Sequence, residues 1–177
     1  TRWLNVTGVQ TCALPICLPV LLVSLLLVMA MENVFIVYGA WLEGEFGLAV
    51  STIGAVSIVI SLAEMLAEGL SAGLVEPLGK RRAVLGGFIL LLLALLLLPR
   101  LSGTLATALG GMALFICTFE FAIVSFVPLV SEIVPSARGS VLALNVAAMS
   151  VGRIIATLTA PRLWIAGGLP ANALASA

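Results

Sequence analysis

Five stretches of this chain are each long and apolar enough to cross a lipid bilayer. A transmembrane helix needs about 20 predominantly apolar residues. Residues 18–40, 51–75, 83–98, 104–130 and 140–160 supply five such runs. A bilayer core offers no water to backbone amides, so each run is expected to be a helix. The fold class expected is therefore an all-α polytopic membrane protein. The composition fits no soluble domain: 62% of the residues are hydrophobic, 9% are charged and the mean hydropathy is +1.29. Soluble domains are about half apolar and a quarter charged.

The few polar residues narrow the chemistry. Eight Lys and Arg balance eight acids, so no basic surplus points to a nucleic-acid partner. All the acids are Glu, and the chain has neither Asp nor His. Ser-His-Asp catalysis, His-ligated metal sites and metal sites built on paired Asp are thereby excluded. No catalytic residue, metal or cofactor is expected. Cys12, Cys17 and Cys117 form no disulfide framework.

The links between runs are short. Residues 41–50 carry Glu43, Gly44, Glu45 and Gly47 and read as a loop, with Ser51 or Thr52 as the N-cap of the next helix. Residues 76–82 form a tight charged turn, 99–103 close the third span, and 131–139 make a polar loop. Residues 161–177 turn through Gly167, Gly168 and Pro170 towards the start of a sixth helix. Short links force neighbours to run antiparallel. Lys80, Arg81, Arg82 and Arg138 then share one side of the membrane, opposite Arg100 and Arg162. The excess of basic residues makes the first side cytoplasmic.

Five ionisable residues fall inside the runs: Glu32, Glu64, Glu68, Glu120 and Arg153. Each costs about 2.5–3.5 kcal/mol to place at a helix centre even on insertion scales, so each is a candidate functional residue. In the second run Gly54, Ser57, Ser61, Glu64, Glu68 and Ser71 form one helical stripe. Close helix packing would explain the small residues. It does not explain two Glu one turn apart, which repel, and one of the two is expected to hold a proton. Ser57 and Ser61 are expected to line the same cavity. The plainer reading makes Glu68 a solvated residue near the cytoplasmic boundary. In the fifth run Asn145, Met149, Arg153 and Thr157 share a face, and Asn145 is also expected to line the cavity. Arg153 either pairs with Glu120, Glu64 or Glu32, or snorkels to the interface. Glu32, with Asn33 and Tyr38, makes either a ligand or proton contact or an ordinary interfacial belt. Glu120 lies among Phe115, Phe119, Phe121 and Phe126, which suits an amphipathic or cationic ligand as well as plain packing.

Two resemblances bear on organisation. Residues 1–16 lack periodicity, and 6–16, VTGVQTCALPI, resemble the translation of a sequencing-library adapter. They are set aside as a non-native tail, leaving residues 17–177 as the folded unit. Without Arg2, seven basic residues face eight Glu. Residues 72–82, AGLVEPLGKRR, resemble the loop signature between the second and third helices of a major facilitator superfamily half, departing from it at Ala72, Glu76 and Pro77. Residues 132–139, EIVPSARG, resemble that family's acid–Pro–Arg-Gly turn, and residues 38–48 resemble the end of its seventh helix and the loop after it.

The resemblance implies the C-terminal six-helix half of such a transporter, cut short in its last helix, with an N-terminal half missing from the chain. It implies alternating access in a bacterial inner membrane, a small organic solute as substrate and efflux of the sugar or drug type. The proton is the expected coupling ion. Glu76, Gly79, Lys80, Arg81, Arg82 and Arg138 would form the conformational loop motif. The alternative is a membrane scaffold or assembly subunit that transports nothing. An intramembrane enzyme would need a Glu- or Ser-based mechanism, and no nucleophile–base pair is visible.

Overall fold

The computed structural model of the chain describes residues 6–177, and side chains from Cys17 onward. The adapter-like reading of residues 1–16 therefore falls outside the residues whose side chains are described. Among the described residues the chain is helical, with no strand: α1 Val6–Phe35, α2 Tyr38–Phe46, α3 Val50–Leu78, α4 Lys80–Leu97, α5 Leu105–Ser131 and α6 Arg138–Ser176. Five spans are long and apolar enough to cross a membrane, the first formed by α1 and α2 together. The protein is an all-α, multi-pass membrane protein.

Several local expectations are corrected. Residues 41–46 are not a loop. The first helix breaks at Ile36 and Val37, and α2 resumes the span, because Trp41 and Leu42 are buried in the core while Glu43 and Glu45 point outward. Trp41 meets Phe46 edge-on at 5.9 Å. Gly47, at φ 63°, ends α2, its N–H donating to Glu43 O at 2.9 Å while Leu48 N donates to Leu42 O. Helix α3 begins one residue before Ser51, with Ala49 at the N-cap and no side-chain cap. The charged turn is tighter than residues 76–82 suggested: α3 continues through Pro77 to Leu78, and Gly79 at φ 78° turns the chain directly into α4. The fifth run does not stop at Ala160. α6 passes through Pro161, and its direction changes at Gly167 and Gly168, where the backbone leaves helical geometry. Thr104 caps α5, its hydroxyl accepting from Thr107 N.

Packing follows small residues. Helix α1 packs most extensively on α6, α4 on α5, and α3 on α5. On α6, Gly152, Ala156 and Ala160 are buried at four-residue spacing, the small-residue ridge that lets membrane helices approach closely. A Cβ on Gly152 would lie 2.3 Å from the Leu25 carbonyl oxygen of α1. A Cβ on Gly87 of α4 would lie 2.8 Å from Ala122 Cα of α5. Polar bonds fasten the α1–α6 seam. Ser24 hydrogen-bonds Asn145, Thr159 Oγ1 donates to Asn33 Oδ1 at 2.8 Å, and Asn172 Nδ2 donates to Asn33 O at 2.8 Å and Ala160 O at 3.0 Å. The Leu-rich α4 divides cleanly. Val84, Leu91, Ala94 and Leu95 are buried, while Leu85, Ile89 and Leu93 face outward, as a lipid-facing stripe does. Of the five spans α3 is the least buried, with Ile60, Ala67, Ser71 and Val75 covered.

Candidate functional site

The five intramembrane charges converge. A cavity of about 510 Å³ is lined by Val28, Met31 and Glu32 of α1 and by Glu64 and Glu68 of α3. Helix α5 contributes Phe119, Glu120, Ile123, Val124, Val127 and Pro128, and α6 contributes Met149 and Arg153. Each helix delivers its charge by simple periodicity. Glu64 and Glu68 lie one turn apart on α3, and Arg153 lies one turn from Met149 on α6.

Arg153 selects one of the three acids open to it. Its Nε donates to Glu32 Oε1 at 2.6 Å, joining α6 to α1 across the cavity mouth. The guanidinium remains largely exposed and Glu32 is mostly covered. Glu120 is 8% exposed and is the deepest carboxyl of the group. Its charged neighbours are Glu64 and Glu68. Among the described residues no Lys or Arg pairs with these three acids, the ion pairs being Arg153–Glu32 and Lys80–Glu132. The walls between the charges are aliphatic and aromatic, so the cavity joins a hydrocarbon lining to an acidic rim.

The other candidate residues fall elsewhere. Asn145 is buried in the α1–α6 seam, bonded to Ser24 and donating to Met149 S at 3.3 Å. Ser57 hydrogen-bonds Tyr38, tying α3 to α2, and donates to Ile53 O at 2.9 Å. Ser61 is exposed, as is Glu68. The buried seam of α3 runs through Ile60, Ala67, Ser71 and Val75, one step around the helix from Gly54, Ser61 and Glu68. The polar stripe thus enters the packing face at Ser71 and otherwise borders it, and its Glu pair reaches the cavity.

A second group gathers at one end of the bundle. Glu76, Gly79, Lys80, Arg81 and Arg82 surround a recess of about 750 Å³ with Leu129 and Glu132. Lys80 forms an ion pair with Glu132. That hydrogen bond and the Lys80 charge hold the Glu132 carboxyl below the usual carboxylate range, and Arg138 adds to the effect. The α3–α4 turn and the α5–α6 link therefore lie at the same end. Glu132 was legible only as part of a turn pattern. Its partnership with Lys80 follows once the two loops are known to share a side. Ser24, Thr159 and Asn172 left a weaker signal, being single polar residues in apolar runs.

Over 130 residues the chain is 32% identical to the uncharacterised MFS-type transporter YceJ of Bacillus subtilis (strain 168). The match covers 71% of this chain and 32% of that protein, so the chain spans about a third of the relative's length. No protein-family model and no solved structure matches the chain.

Proposed function

We propose that this chain is part of a secondary active transporter of the major facilitator superfamily that moves a small organic solute by alternating access, with the proton as coupling ion. The observation that carries the reading is the single cavity into which four helices deliver four carboxyls and one guanidinium. The similarity to an MFS-type transporter supports it. So does the gathering of the Glu76–Arg82 turn with Glu132, in the place where the resemblance puts a conformational loop.

The chemistry follows from electrostatics. Glu64, Glu68 and Glu120 stand around one apolar-walled cavity with no ion-pair partner among the described residues, and adjacent carboxylates repel. Taking up a proton relieves that repulsion, and losing it restores a negative site. A cavity that alternates between the two faces of the membrane converts this exchange into coupled transport. In the proposed arrangement a second six-helix half covers the open side of α3 and completes the cavity. The protein would sit in a bacterial plasma membrane, with Lys80, Arg81, Arg82 and Arg138 on the cytoplasmic side, and would act in efflux.

The test is solute-driven proton movement. The full-length protein is reconstituted into liposomes containing a pH-sensitive dye, and candidate solutes are applied as gradients. Flux that falls at least tenfold in Glu120→Gln and Glu64→Gln, with correct insertion retained, is the expected result. A protein that moves no proton with any solute, and whose variants alter stability alone, would be the non-transporting scaffold.

A further inference from the structure

We propose that Asn172 is a positioning residue that holds the break in the first span and thereby sets the direction of α2. The proposal holds whatever solute the cavity takes. It starts from the backbone at the break. In an unbroken helix the Val37 amide would donate to Asn33 O, four residues back. Ile36 N still donates to Glu32 O at 2.9 Å, but Val37 N donates to Val34 O at 3.3 Å. The break thus takes from Asn33 O its helical donor. Asn33 is 2% exposed, and a bare acceptor in the apolar depth of a membrane protein is costly. Asn172 Nδ2 supplies the missing donor at 2.8 Å.

The amide is placed for its two N–H groups. Its nitrogen faces Asn33 O and, at 3.0 Å, Ala160 O, and carbonyl oxygens only accept. Its own Oδ1 is buried with no hydrogen-bond partner among the described residues. An amide held in place for its oxygen would not leave that oxygen bare. Its reach comes from the reversal of α6. Asn172 and Ala160 are 12 residues apart, which is about 18 Å along a straight helix. The non-helical backbone at Gly167 and Gly168, the latter at φ 63°, folds the end of α6 back until Asn172 meets both carbonyls.

The break matters beyond its own turn. On one side of it Glu32, next to Asn33, lines the cavity and pairs with Arg153. On the other side Tyr38 of α2 hydrogen-bonds Ser57 of α3, the helix that carries Glu64 and Glu68. Two donors are available to one carbonyl: Asn172 Nδ2 when the span is broken, and Val37 N when it is straight. Without Asn172, straightening is the way Asn33 O regains a donor. Loss of one buried hydrogen bond shifts a two-state equilibrium by about tenfold.

The experiment is pulsed double electron–electron resonance on the full-length protein in nanodiscs, in a background without native cysteines. Spin labels are placed at Glu43→Cys on α2 and Ala106→Cys on α5, both exposed positions. Glu43 lies about 10 Å along the helix from the break, so a redirection of α2 by about 20° moves it by about 3–4 Å. Asn172→Leu removes the donor and keeps the volume. Thr159→Val removes the neighbouring bond to Asn33 Oδ1, leaves Asn33 O paired, and is the control for general loosening of the α1–α6 seam. Expected are one dominant distance in the wild type and in Thr159→Val, and in Asn172→Leu a second distance differing by about 3–4 Å, its population raised about tenfold over the wild type. An unchanged distribution in a folded Asn172→Leu overturns the proposal. The same shift in Thr159→Val does so too, since the effect would then be one of seam stability. Should Asn172→Leu not fold, Asn172→Ala removes the same donor and decides on the same terms.

Discussion

Replacing Gly152 by Ala is expected to weaken the bundle through a single contact. The new Cβ would lie 2.3 Å from Leu25 O, 3.1 Å from Leu25 C and 3.3 Å from Leu25 Cα. The opposing atoms are backbone in the middle of α1, so no side chain can rotate away. Restoring ordinary van der Waals separation requires α1 and α6 to part by about 1 Å. The parting falls between the Ser24–Asn145 and Glu32–Arg153 bonds and strains both. Overpacking of this kind costs about 1–3 kcal/mol, and the better helix propensity of Ala returns about 1 kcal/mol. The net expectation is destabilisation by up to about 2 kcal/mol, and so about 1–3 kcal/mol relative to a glycine site that gains the propensity alone, increasing steeply for Gly152→Leu. Gly69→Ala on α3 and Gly86→Ala on α4 are the controls, since a Cβ there meets nothing within 4 Å. They gain propensity alone and should be neutral or stabilising by up to about 1 kcal/mol. Reversible unfolding in mixed micelles, followed by circular dichroism against the mole fraction of sodium dodecyl sulfate, measures all three. If Gly152→Ala is as stable as Gly69→Ala, the close approach of α1 and α6 is wrong.

Three other outcomes are expected. In a background without native cysteines, Ser136→Cys should react with an impermeant maleimide only from the cytoplasmic side and Ser102→Cys only from the opposite side; the reverse pattern inverts the topology. Glu132→Gln should lower thermal stability at neutral pH. Because the Glu132 carboxyl is held below its usual range by Lys80, its contribution is present above the unfolded carboxylate pKa of about 4.3 and is lost as the pH falls through the folded value. The difference between the variant and the wild type should therefore vanish in acid, and a difference that grows there contradicts the pairing. Asn172→Ala removes the donor that serves both Asn33 O and Ala160 O and leaves a void, so it should cost about 2 kcal/mol in the same micellar unfolding assay.

The spans were legible because length and apolarity alone decide whether a segment can cross a bilayer. The charges inside them were legible because an ionisable group in an apolar run stands out. The identity of Arg153's partner was not. Glu32, Glu64 and Glu120 all lie on helices that reach the cavity, and only the crossing of α1 with α6 brings Glu32 within 2.6 Å. For the stripe on α3, periodicity cannot say which edge meets a neighbour. Ser71 alone of the stripe lies in the buried seam, which otherwise runs beside it along Ile60, Ala67 and Val75. Helix α2 was hidden by its composition. Two Glu and two Gly read as a loop, whereas the burial of Trp41 and Leu42 overrides that local preference. Asn145 resembled a cavity residue in sequence because a polar group on a membrane helix has two uses, binding a ligand or binding another helix, and Ser24 decides between them.

The acidic compartment is assembled from separate supports. Glu32 and Arg153 sit on the interlocked α1–α6 pair, Glu120 on α5, and Glu64 and Glu68 on α3, which packs chiefly on α5. Its density of negative charge is therefore a property of helix spacing and not of any one segment: the same carboxyls make a stronger field the closer α3 packs against α5.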